Sequence, residues 1–105
     1  MPVRVAENVL ESVTTGEKAH LESFKANPGY GGQQVTVKVG ADAPQQVAHV
    51  TFGRGSTHAT IFYVRDGADY SVMGVGQHAG TKGGKTSYSS LWSGKKSKRV
   101  TVTIQ

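Results

Sequence analysis

The chain has 105 residues, which suits one domain spanning 1–105 rather than two. Twelve Lys and Arg face seven Asp and Glu, a formal charge of +5, and Cys is absent, which excludes a disulfide framework, thiolate metal sites and a cysteine nucleophile. No apolar run approaches the roughly 18 residues that cross a bilayer, no signal-peptide core follows Met1, and so few carboxylates leave little material for a Mg²⁺ cage.

The first predicted elements are a short edge strand at Val3 and Val5 and a helix over about residues 15–26. Thr14-Thr15-Gly16-Glu17 fits a capping box, Ala19, Leu21 and Phe24 form a short apolar stripe, and Asn27-Pro28-Gly29 ends the helix. From Gln33 the period changes to two, with Val35, Val37 and Val39 alternating with Gln34, Thr36 and Lys38. Residues 46–52 resume that alternation after Gly40–Pro44. Tight connections at Gly53–Ser56 and Asp66-Gly67 lead into strands 57–65 and 69–78. A glycine-rich loop, 79–86, and a polar-aromatic segment, Ser87–Trp92, precede a last strand over 99–104. The predicted fold is α+β: one N-terminal helix packed on a four- to five-stranded antiparallel meander.

Charge is divided unevenly. Residues 1–53 hold four cations and five carboxylates, net −1, whereas 54–105 hold eight cations and two carboxylates, net +6. No acidic side chain follows Asp69. A one-sided cationic half is the footprint of a polyanion partner, above all nucleic acid. Lys95, Lys96, Lys98 and Arg99 also suit the plainer task of keeping an edge strand from aggregating.

Strand alternation nominates a face. If residues i and 136 − i lie opposite each other across the Gly67 hairpin, His58 faces His78, and Thr60, Phe62, Val64, Val72, Gly74 and Gly76 share their side. A four-residue turn before it puts Thr51 opposite His58 and His49 opposite Thr60, with Lys38 and Thr36 projecting the same way. Gly74 and Gly76 leave room there for a ligand. Two imidazoles flanking a phosphodiester can cleave RNA without metal, one taking the 2′-OH proton and the other protonating the leaving 5′-oxygen. His78 and His58 are the acid–base candidates, with Arg65, Lys82 and Lys85 on phosphate, Thr86 or Tyr88 orienting it, and Tyr88 and Trp92 as base platforms. Trp92 serves equally well as a core plug, His20 as a boundary residue and His49 as a solvated strand residue. Zinc held by His49, His58 and His78 has no tight ligand spacing behind it, so no metal or cofactor is expected.

The glycine loop ends in Gly84-Lys85-Thr86 like a Walker A loop, but Ala79 occupies the position of the first glycine. Gly80-Thr81-Lys82-Gly83 matches a KH-type GXXG loop, yet a strand precedes it where KH domains have a helix.

The stretch Ala59-Thr60-Ile61-Phe62-Tyr63-Val64-Arg65-Asp66-Gly67-Ala68-Asp69-Tyr70-Ser71-Val72-Met73-Gly74-Val75-Gly76-Gln77-His78 resembles the central hairpin of RelE-type toxins, where an Arg-bearing strand turns into an apolar one ending near His. The order of helix then strands is similar to the small toxin ribonucleases of the barnase–EndoU–colicin–RelE superfamily. The resemblance covers about a fifth of the chain and departs from the RelE pattern in the glycine loop and the single helix. It implies metal-independent cleavage of mRNA or tRNA, functional roles for Arg65, His78 and Lys85, an acidic antitoxin or immunity protein as partner, and action in the cytoplasm of the cell itself or of a target cell. The rival readings are a non-catalytic RNA- or DNA-binding module and a structural or protein-interaction domain.

Overall fold

Helix α2 (Thr15–Ala26) begins and ends where the capping box and the Asn27-Pro28 stop place it. The Thr14 hydroxyl accepts from the Glu17 backbone N–H at 3.1 Å, and the Glu17 carboxylate accepts from the Thr14 N–H at 2.9 Å. A cap of this kind contributes about 1 kcal/mol. The computed structural model describes residues 2–105 without the side chains of Lys82 and Ser97. The remaining elements are β1 (Val3–Val5), α1 (Glu7–Ser12), β2 (Gln33–Val39), β3 (Gln45–Phe52), β4 (Ala59–Asp66), β5 (Asp69–Lys82), β6 (Lys85–Trp92) and β7 (Lys95–Ile104). A single 3-10 turn, Gly55–Thr57, precedes β4. No described helix is long and apolar enough to cross a membrane.

The sheet is not open. β2 pairs with β3 and β7, and β6 pairs with β7 and β5, so β2 through β7 close into a six-stranded antiparallel barrel, with β1 added in parallel outside β5. This corrects the expected helix on a four- to five-stranded sheet in three ways: two helices precede the meander, the polar segment 85–92 is a strand, and the meander closes on itself. Closure leaves two cores. Val37, Val39, Val47, Phe62, Tyr88, Trp92 and Val102 fill the barrel. Val9, Leu21 and Phe24 of the helices pack on the outward side chains Ala48, Ile61, Tyr63, Tyr70, Val72, Val75 and Leu91. β4 is therefore buried on both faces, with Ile61 and Phe62 alike fully inaccessible.

The barrel has two unlike ends. At one lie the β3–β4 connection (53–58), the tip of the β5–β6 hairpin (83–84), the entry into β2 and the end of β7. At the other lie the connections β2–β3, β4–β5 and β6–β7. These are called below the His78 end and the Asp66 end.

Candidate nucleic-acid interface

The expected register holds on the histidine side of the β4–β5 hairpin and fails next to its turn. Thr60 pairs with Gly76, Ile61 with Val75 and Phe62 with Gly74, as the 136 rule requires. A β-bulge then sets Tyr63 opposite Val72, which turns Val72 onto the helix side and leaves Met73 against the barrel core. On the other flank, Thr51 rather than His49 faces Thr60, and His49 faces Phe62. That shift of two residues keeps both on the expected side.

The face shared by His49, Thr51, Thr60, Phe62, Gly74, Gly76 and His78 is the barrel interior and its mouth, not an exposed sheet surface. The room left by Gly74 and Gly76 is already filled. A Cβ at Gly74 would run into the Trp92 ring, and one at Gly76 would lie 2.6 Å from the Ser90 Cβ. Trp92, 3 % exposed, and Tyr88, 7 % exposed, are core residues around Phe62, with ring centroids 5.5 and 5.2 Å from it. Neither offers a face to a base, which overturns both as stacking platforms. Burial pushes the Tyr88 hydroxyl above its ordinary pKa.

His58 and His78 do meet, in a manner that removes His58 from proton transfer. The His58 Nδ1–H donates to the Gly55 carbonyl, and its Nε2 accepts from the His78 backbone N–H at 2.8 Å. Both ring nitrogens thus hold backbone, tying the β3–β4 connection to β5, and the expected acid–base role gives way to a positioning one. The His78 ring stands exposed, edge-on to Tyr88 at 5.8 Å between centroids. His49 is half-buried, stacks on Phe62 at 6.4 Å and uses Nδ1 on the Gln33 carbonyl at 3.1 Å. Thr60 is buried, its hydroxyl 2.8 Å from that of Thr51. His20, on α2, reaches the Thr57 carbonyl with Nε2 at 2.7 Å and stacks on Phe52.

The expected phosphate ligands scatter. Arg65 lies at the Asp66 end, its Nε donating to the Gly67 carbonyl at 3.1 Å and its guanidinium 5.5 Å from the Tyr70 ring, so it takes no part in a site at His78. Lys38 alternates with the buried Val37 and Val39 and so points outward, away from the histidines. The glycine loop is no cradle of free amides. Residues 78–88 continue the β5–β6 ladder to a turn at Gly83-Gly84, both with positive φ, where Lys82 pairs with Lys85 and Thr81 with Thr86. Thr86 is half-buried. Lys85 is exposed and donates to Gln105 Oε1 at 3.4 Å, and the Lys82 side chain lies outside the described residues. Arg99 and Lys95 are also engaged, with Glu17 at 2.6 Å and Asp42 at 2.9 Å. Among the described residues no group of three or more His, Asp or Glu converges as a metal cage.

Folding nonetheless sorts the charges. All four glutamates sit on the helices, and all three aspartates, Asp42, Asp66 and Asp69, lie in or beside the connections at the Asp66 end. The segments 53–58 and 79–86 at the His78 end contain no acidic side chain but carry Arg54, His58 and Lys85, with His78 adjoining. Sequence reasoning passed over Arg54, which reads as a mere turn residue until the barrel brings its loop beside the β5–β6 hairpin. No family model, curated protein or solved structure matches the chain.

Proposed function

We propose that the chain is a nucleic-acid-binding barrel whose His78 end receives the phosphates of an RNA. The observation that carries this reading is the end that holds Arg54, Lys85 and His78 with no acidic side chain in its connections, opposite an end that gathers every aspartate. Cations without competing carboxylates attract a polyanion and release its counterions on binding. The choice of RNA follows the resemblance to toxin ribonucleases. It places the action in a cytoplasm and makes an acidic antitoxin or immunity protein the natural competitor for the same end.

Cleavage of the bound RNA is a second reading, favoured by one feature: the exposed His78 ring at the barrel mouth, edge-on to Tyr88 and with its backbone pinned by His58. His78 would exchange protons with the ribose or the leaving oxygen, Lys85 would neutralise phosphate, and His58 would fix the strand. A single titration series in EDTA separates the readings. Binding of an RNA oligonucleotide should weaken with salt along a log–log slope of about −2, the value for three phosphate contacts on a single strand. Product bands that vanish in His78→Ala establish cleavage. Salt-steep binding with no product in either protein leaves the binding reading alone, and absence of binding at low salt refutes both.

A further inference from the structure

β4 begins at Ala59, and its ladder with β5 ends at the pair Thr60–Gly76. β5 runs on to Lys82, so the next N–H on that edge, at His78, meets no strand carbonyl from β4. The His58 ring takes the place of one. Its Nε2 accepts from the His78 N–H at 2.8 Å, and its Nδ1–H donates to the Gly55 carbonyl. An amide N–H can only donate and a carbonyl can only accept, so this pair of bonds requires a neutral ring with its proton on Nδ1. The connection that the ring fastens, Gly53-Arg54-Gly55-Ser56-Thr57-His58, has no apolar side chain, and residues 53–57 are all exposed. It is also held from α2, where the His20 Nε2 donates to the Thr57 carbonyl at 2.7 Å.

We infer that His58 is a proton-controlled latch, which fixes the connection carrying Arg54 to β5 while the ring is neutral and frees it when the ring is charged. An imidazolium carries hydrogen on both nitrogens, so Nε2–H would meet the His78 N–H donor against donor, and the bond to β5 is lost. The fastening is therefore present above the range in which imidazole titrates and is lost as pH falls through it. No neighbour rewards the charged ring. The titratable and charged groups on the elements about it are Arg54 on its own connection, His78 on β5, Tyr88 and Lys85 on β6 and His20 on α2. The adjoining ends of β3 and β4, Thr51-Phe52 and Ala59-Thr60, carry none, and no carboxylate is among the groups named. His20 responds differently. Its Nε2 bears hydrogen whether the ring is neutral or charged, so its bond survives acidification and the connection stays tied to α2 at Thr57. The latch is a property of the fold and stands apart from the RNA reading; where that reading holds, it sets the place of Arg54 among the phosphate contacts.

The test follows amide hydrogen exchange and imidazole nitrogen shifts by NMR in wild type, His58→Ala and His58→Gln at about pH 8 and about pH 5.5, the lower value still above ordinary carboxylate titration. At the higher pH the His58 ring should carry its proton on Nδ1, and the His78 amide should be protected. At the lower pH the His78 protection factor should fall about tenfold, the ratio of charged to neutral form for a freed imidazole with an ordinary pKa of about 6.5. The amides of the Phe62–Gly74 pair should keep theirs. His58→Ala should lack the His78 protection at both pH values. His58→Gln should keep it at both, because an amide oxygen accepts from the His78 N–H and does not titrate. A His58 ring protonated on Nε2 at the higher pH, or a wild-type His78 amide equally protected at both, overturns the latch. Protection lost equally at His78, Phe62 and Gly74 would show general loosening and overturns it as well.

Discussion

Trp92→Ala should lower the free energy of unfolding by about 3–5 kcal/mol in a urea titration, a large part of the roughly 5–15 kcal/mol expected for a domain of this size. The indole fills the barrel between Phe62 and the glycine-only wall at Gly74, and a cavity at that point cannot collapse without moving the β5–β6 ladder. The main-chain carbonyl of Trp92 also accepts from the Asn8 side chain at 2.7 Å, which fastens α1 to the end of β6. Affinity of the folded fraction for RNA should stay unchanged. An unaltered unfolding midpoint together with weaker RNA binding would return Trp92 to the role of base platform and contradict the burial argument.

The second large effect is expected at Glu17 and Arg99. Their carboxylate and guanidinium meet in two parallel bonds, Nη2 to Oε1 at 2.6 Å and Nη1 to Oε2 at 2.9 Å, with the Glu17 side chain 1 % exposed. The same carboxylate closes the capping box of α2. Glu17→Ala should therefore cost about 3 kcal/mol, since it strands a half-buried guanidinium and removes a cap. The double variant Glu17→Met/Arg99→Met should recover part of that loss, because an apolar pair leaves no unpaired charge. Burial alone would raise the Glu17 pKa. The hydrogen bonds from Arg99 and Thr14 and the guanidinium charge outweigh it and hold the carboxyl below the usual glutamate range. A folded-state pKa below the unfolded one means that this stabilisation is complete above the ordinary glutamate value. It is lost as pH falls through the lowered one. Wild type should lose stability on acidification in that window, and Glu17→Gln should lose less. Parallel pH profiles for the two proteins would refute the assignment.

These two sites show where legibility ends. The limits of α2 were readable because the capping box and the Asn27-Pro28 stop act within a few residues. The strand at Gln33–Val39 was readable because one of its faces is apolar. On the β4–β5 hairpin the expected pairing fails next to the turn, where Asp66 pairs with Asp69, and holds from Phe62 towards the histidines because the bulge adds the missing residue. Nothing in Ser71-Val72-Met73 announces that one residue is extra. α1 has six residues and no side-chain cap, too little for a helical period. β6 hid as a polar segment because Ser87 and Ser90 are buried, Ser90 bonding to the Leu91 carbonyl.

Closure of the barrel was the costliest omission. Gly74 and Gly76 look like clearance for a ligand until the strand carrying Trp92 and Ser90 comes to lie against them. The doubly buried run at Ala59–Tyr63 is the one local trace of a second covering layer. Arg99 was counted as a free cation because its partner stands 82 positions away. Total charge was therefore a poorer guide than the placement of charge at the two barrel ends, which only the topology reveals.

The most direct test of that placement exchanges charge at one end and then at a distance from it, with the same net change. Arg54→Glu/Lys85→Glu alters the His78 end, and Lys96→Glu/Lys98→Glu alters the first half of β7. RNA affinity should fall at least tenfold, and the salt slope should flatten, in the first variant alone, because phosphate contacts and not net charge set both quantities. Equal losses in the two variants would show attraction by total charge without a defined interface and would contradict the account.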